Sequence, residues 1–378
     1  MGWRTRGMQI KALGGFMERR GGELRLALRT TLAGLATFAL AEALRLPQGY
    51  WAVLTSVIIM QGSVGGSLKA GIDRLIGSFA GAIWGVAVTL AIPHHGIPAL
   101  GLALVVALGP LALVSALKPS FRIAPVTAII VLLSTSSLQA DPVPYAVDRV
   151  LEIGLGCVVG LAVSLLVLPG RAARLLAEAA AVVLRGFAEL VEIVLRDLAT
   201  PLDRAALLAI HRRLRRAMAR VETLAGEAKH ERTNRLSDAP DPEPVLRNLR
   251  RLNHDLTAVG RAGMTAMPAQ GRQHLTEPVK GLRHAIVEFL TEAAEGFAVG
   301  KPPPSLAAVD AALAALGVAV TAMRQSGALR EQSGEAVAQI YGLTFALQQL
   351  RENLGDLAER VAERAAPVRD GNKGDIEA

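Results

Sequence analysis

Two stretches of this chain, 75–92 and 97–117, contain no charged residue. A helix needs about 20 mainly apolar residues to cross the hydrocarbon core of a bilayer. A segment of that length with no polar face has no stable place on the surface of a soluble domain. The fold class expected is therefore all-α, an integral membrane protein. Charge is unevenly spread. Residues 1–170 hold 13 Lys and Arg against 7 Asp and Glu, whereas residues 171–378 hold 28 against 26. The net charge of +8 would suit a nucleic-acid partner, but most of the excess flanks the apolar runs. Membrane orientation accounts for it there, and nucleic acid is set aside.

Six membrane spans are expected, at 25–44, 48–62, 73–92, 97–117, 122–139 and 149–168, forming a transmembrane domain over 24–170. The second is the weakest: its apolar core YWAVLTSVIIM runs directly into QGSVGGS, which predicts a tilted, broken or re-entrant segment. Short, Gly-interrupted spans are a sequence pointer to a transport site. Residues 1–23 read as a cytoplasmic N-terminal segment rather than a cleavable signal, so the first span acts as an uncleaved anchor. With the N-terminus inside, twelve flanking basic residues (among them Lys69, Arg74, Lys118, Arg122 and Arg171) lie on the cytoplasmic side. Only Arg45 and Arg149 lie on the other. This orientation puts both termini in the cytoplasm.

The spans repeat. Asp73-Arg74 and Asp148-Arg149 each open a glycine-rich apolar run. From each Arg, glycines recur at plus seven (Gly81, Gly156) and plus eleven (Gly85, Gly160). The preceding stretches correspond at an offset of 72, with Pro47 matching Pro119 and Thr55 matching Thr127. A unit of three helices crosses the membrane an odd number of times, so its second copy is inverted. That three-plus-three inverted repeat is a transporter architecture.

Charged groups inside a bilayer are costly and mark candidate sites. Arg29, Arg74 and Arg149 are candidates for substrate binding, with Arg74 and Arg149 expected at opposite membrane faces. Tyr50 and Trp51 offer aromatic surface beside them, or serve as an interfacial belt. Glu42 and Glu152 are candidates for proton coupling, because desolvation favours the neutral form of a carboxyl group. Asp73, Asp148 and Glu42 also fit helix-end charges reaching the headgroups. Gly77, Gly81, Gly85, Gly156 and Gly160 are spaced for close helix packing. No metal or cofactor is expected: His94 and His95 have poor ligand spacing, and the single Cys157 lies in an apolar run. No phosphate loop, nucleophile elbow or metalloprotease motif is present, so catalysis has no support and the chain is not read as an enzyme.

The remainder, 171–366, reads as a cytoplasmic bundle of helices at about 172–199, 202–229, 244–265, 277–299, 304–325 and 331–365. Leucine and valine recur there at steps of three and four, with breaks at 237–244, from Met267-Pro268 onward and at GKPPP 300–304. The run HRRLRRAMAR, 211–220, fits a solvated helix face or contact with anionic lipid headgroups. Residues 367–378 read as a flexible tail.

The stretches LRLALRTTLAG and LPQGYWAVLTSVIIMQGSVGGSLKAGIDRLIGSFAGAIWG resemble the fusaric acid resistance protein-like family, which includes aromatic carboxylic acid efflux pumps. The matching residues are Arg29, Gly49-Tyr50-Trp51, Gln61, Arg74, Gly77 and Gly81, then Arg149, Gly156 and Leu168-Pro169. The layout is more distantly similar to the aluminium-activated malate transporters. The resemblance implies a bacterial inner-membrane exporter of small organic, aromatic carboxylate anions. Many of the pumps carry a second membrane block, which is not found here. A homodimer is therefore expected, and pairing with a periplasmic adaptor is put in doubt. A passive anion channel and a membrane-anchored scaffold are the rival readings.

Overall fold

The computed structural model describes residues 21–92, 96–138, 140–196, 204–262, 269–330 and 332–365. Residues 1–20, the His94-His95 pair, Met267-Pro268 and the tail from 366 lie outside the described residues. Every regular element among the described residues is helical. The chain divides into two compact units, Met1–Ala172 and Ala173–Ala378.

The first unit contains α1 (Gly21–Ala43), α2 (Tyr50–Ile58), α3 (Val64–Ala91), α4 (Ile97–Leu117), a 3₁₀ turn (Pro119–Phe121), α5 (Ala124–Leu138) and α6 (Pro142–Leu166). Two of these helices begin well before the Asp-Arg pairs from which the sequence would start them. Ser63 caps α3, its hydroxyl accepting from Gly66 N at 2.9 Å. Asp141 caps α6, accepting from Val143 N at 3.1 Å, with Pro142 in the first turn, where a missing N–H costs nothing. Asp73-Arg74 and Asp148-Arg149 therefore lie inside helices, and their arginines are buried.

The second expected span is also different in the structure. Helix α2 has nine residues, about 14 Å at 1.5 Å per residue, too short to cross a bilayer alone. Yet the segment around it follows α6 for much of its length. Gln48 N meets Glu152, Gly156 packs on Ala52, Gly160 packs on Ser56, and Val64 N donates to Gly170 O. Residues 48–64 thus run parallel to 152–170 as a short helix followed by non-helical backbone. Freed backbone groups find local partners: Gln61 N donates to Ser67 Oγ, and Ser67 Oγ to Ser63 O. That is the condition for irregular backbone at membrane depth.

Among the described residues, six helical stretches are long and apolar enough to cross a membrane: Gly21–Ala43, Val64–Ala91, Ile97–Leu117, Pro119–Leu138, Pro142–Leu166 and Ala307–Gln325. Five coincide with expected spans. The sixth meets the same length and composition but belongs to the second unit, where one of its faces joins the core. The chain is a multi-pass membrane protein. Its first unit carries large apolar side chains outward, with Leu35, Phe79, Leu90 and Val158 all exposed.

The second unit is formed by α7 (Ala172–Val194), α8 (Arg204–Thr233), α9 (Glu243–Ala262), α10 (Ala269–Val299), α11 (Ala307–Gln325) and α12 (Gly334–Ala365). One leucine-rich core runs through it, including Leu184, Phe187, Leu249, Leu290 and Leu354. Helices α9 and α12 pair closely, with Asn248 Nδ2 donating to Asn353 O. The alanine-rich α11 gives four residues, Val309, Leu316, Val320 and Met323, to this core.

Candidate functional site

The first unit is held together by glycine contacts that correspond between its halves. A Cβ at Gly81 would overlap the Ala124 carbonyl oxygen and lie 2.8 Å from Thr127 Cβ. One at Gly156 would overlap the Ala52 carbonyl oxygen and lie 2.7 Å from Thr55 Cβ. Gly85 faces Ala128 and Val131, while Gly160 faces Ser56 and Ile59. Each contact in one half matches its partner at the sequence offsets of 75 and 72. Gly77 adds a further close approach, to Ile123 and the Ser120 carbonyl. Without side chains at these points, α3 settles against α5 and α6 against α2.

Helices α3 and α6 also meet each other, antiparallel. The Cys157 thiol lies 3.7 Å from Gly71 O, and Ala82 clusters with Ala146. This crossing carries three of the buried charges, Arg74, Arg149 and Glu152. Arg74 is 9% exposed and donates from Nε to Thr55 Oγ1 at 3.1 Å. Arg149 is 3% exposed, and its guanidinium carbon lies 3.2 Å from the centre of the Trp51 ring. Thr55 and Trp51 are one helical turn apart on α2. The two arginines therefore share one short helix instead of marking opposite membrane faces. The sequence expectation failed because both Asp-Arg pairs lie inside their helices, close to the crossing.

Glu152 is 2% exposed and accepts from Gln48 N at 2.8 Å. The Gln48 side chain joins the aromatic residues: its Oε1 accepts from Trp51 Nε1 and from Tyr145 OH, each at 3.1 Å. Tyr50 OH approaches the same oxygen at 3.5 Å, and the Tyr50 and Trp51 ring centres are 5.0 Å apart. Gln48 and Tyr145 escaped the sequence reading. Tyr145 precedes Arg149 by one turn, which was the signal available; Gln48 gave none.

Arg29 is separate from this group. On α1 it is 1% exposed, donating from Nη2 to Ser164 Oγ and from Nη1 to Gly62 O at 3.4 Å. It thus clasps the non-helical stretch before α3 to the end of α6. Glu42 is exposed near the end of α1 and is not brought to the arginines. Asp73 is half-buried and Asp148 exposed.

Among the described residues, the buried charges of the first unit are three arginines and one glutamate. Arg149 Nε, Arg149 Nη1, Arg29 Nε and Ser78 Oγ are buried without hydrogen-bond partners. Unpaired buried donors cost about 1–3 kcal/mol each, more when charged, so an interior of this sign is a place for an anion. The model of the fusaric acid resistance protein family matches residues 23–376. No curated protein matches the chain.

Proposed function

The chain belongs to the fusaric acid resistance protein family, and from that premise we propose that it exports small organic carboxylates, aromatic ones in particular. Membership itself implies a membrane transport or efflux-type function and no enzymatic one. The finer reading rests chiefly on one observation: Arg149 is buried face-on against Trp51 while two of its donors lack partners. A guanidinium pairs with a carboxylate through two parallel hydrogen bonds, and Trp51, Tyr50 and Tyr145 supply surface for a ring beside it. Arg74 adds a second positive charge to the site, and Arg29, a substrate-binding candidate apart from it, secures the broken segment before α3.

Glu152 is the proposed proton-coupling carboxylate, a reading supported by its burial next to the Arg149 site. Correspondence of the two sets of glycine contacts supports an inverted three-plus-three repeat, with α1–α3 answering α4–α6. In this reading the protein sits in the bacterial inner membrane with its second unit in the cytoplasm.

The test is tolerance to a panel of aromatic acids in cells lacking the protein, comparing Arg149→Ala, Arg74→Ala and Arg29→Ala with the parent chain. Arg149→Ala is expected to lose at least tenfold in tolerance, with the acids accumulating inside. Three variants that all protect like the parent would end the exporter reading.

A further inference from the structure

The two halves of the first unit share their glycine packing but not their arginine contacts. Arg74 on α3 donates to Thr55 on α2. At the offsets that align the halves, the equivalent pair is Arg149 on α6 and Thr127 on α5. These two are not joined. The Thr127 hydroxyl donates only to Ile123 O of its own helix, at 3.3 Å. Arg149 instead lies over Trp51, with Nε and Nη1 unpaired. Thr127 is nevertheless placed as Thr55 is, one against Gly81 and the other against Gly156, and is 2% exposed. A buried acceptor with lone-pair capacity thus stands at the position matching that of a used one, while the matching donor is unsatisfied.

We propose that Thr127 is the alternate acceptor for Arg149. In a second conformation of the membrane unit, Arg149 leaves Trp51 and donates to Thr127, and the vacated face of Trp51 takes the ring of an aromatic carboxylate. The two arrangements are closely matched because each forgoes something. The stacked one leaves two guanidinium donors unpaired, and the bonded one gives up the cation–π contact. Closely matched packings of one element are what a switch requires. Trp51 aligns with Ile123, so the stack has no counterpart in the other half, and the device exists once. Thr127 is then a positioning residue: it acts on the substrate's place through Arg149. The proposal rests on the transport reading for its purpose, not for the movement itself.

Thr127→Val keeps the β-branched shape, removes the hydroxyl and takes nothing from a neighbouring helix, so the variant is expected to fold and melt as the parent does. The full chain is reconstituted in liposomes with Trp3 and Trp84 replaced by Phe, leaving Trp51 as the sole indole. Two quantities are read: Trp51 fluorescence lifetimes and benzoate flux. Thr127→Val is expected to collapse the lifetimes to the stacked component and slow flux at least tenfold, and Thr127→Ser to restore both. Lifetimes and flux unchanged by Thr127→Val would overturn the proposal. If the parent itself moves no benzoate, the export reading loses its support, and the lifetimes alone decide: a shift in Thr127→Val upholds the alternate acceptor, and no shift rejects it.

Discussion

The two units of this protein are built on opposite plans. In the first, the contacts between helices are glycine against backbone, arginine and glutamate are buried, and leucine, valine and phenylalanine face outward. In the second, leucine and phenylalanine fill the interior, and ion pairs such as Arg213 with Glu189 and Arg250 with Glu222 lie on the surface. The difference follows from the surroundings each surface meets. Water drives apolar side chains inward at about 25 cal/mol per Å². Lipid exerts no such force, so helices within it hold together by close backbone approach and by polar contacts between them.

That contrast is broken most severely at the paired glycines. Gly81→Val and Gly156→Val each place a branched side chain against a carbonyl oxygen, so that the backbone of a neighbouring helix must shift. Loss of more than about 3 kcal/mol is expected, enough to abolish folded protein in detergent extracts. Gly101→Val and Gly109→Val are the controls, because a Cβ built at either position meets no atom within 4 Å beyond its own stretch of helix. Fluorescence-detected size exclusion should show an aggregate for the first pair and a monodisperse peak for the second. A monodisperse Gly156→Val would remove the glycine contacts from any account of how the first unit holds together.

Much of this plan was legible in the sequence, because it depends on composition over long windows. The charge-free runs at 75–92 and 97–117 became the cores of α3 and α4, and the three-four spacing of leucines marked the helices of the second unit. Helix starts were less legible. Gly65, Gly66 and Ser67 look like a loop, and only the Ser63 cap and surrounding contacts make them a first turn. The brevity of α2 was partly visible in its glycine-rich ending. The site was legible as a list of residues but not as a geometry. Nothing in the spacing places Arg149 over Trp51, since that contact joins residues nearly a hundred positions apart through two helix packings. Gln48, an uncharged side chain in a short connection, carried no signal at all.

The contrast is sharpened by removing equivalent apolar groups from the two units. Leu249→Ala empties a fully buried position and is expected to cost the second unit about 2–5 kcal/mol. Leu35→Ala removes the same atoms from a side chain 61% exposed on α1, and is expected to change stability in lipid by less than about 0.5 kcal/mol. Thermal unfolding of the reconstituted chain separates the two outcomes. Comparable losses would show that the outward face of α1 is covered by protein.

The smallest effects lie in the ion pairs and carboxyl groups of the second unit, where pH gives the sign. Arg351 reaches Asp310 with Nε at 2.5 Å and Nη2 at 2.9 Å, and these hydrogen bonds hold the Asp310 carboxyl below its ordinary range. The pair is solvent-exposed, so screening limits it to about 0.2–1 kcal/mol. Because the folded-state value is depressed, this contribution is present above the unfolded value near pH 4 and fades as pH falls through the folded one. Asp255 behaves oppositely. Burial raises it, against the hydrogen bond donated by Asn353 Nδ2 at 2.6 Å. Its neutral form is favoured by folding, so stability falls as pH rises from the unfolded value through the folded one. Between pH 3 and 6, Asp310→Asn should therefore flatten the rise in stability with pH, and Asp255→Asn should steepen it. Slopes that move the same way in both variants would mean that one of the two carboxyl groups does not sit among these partners.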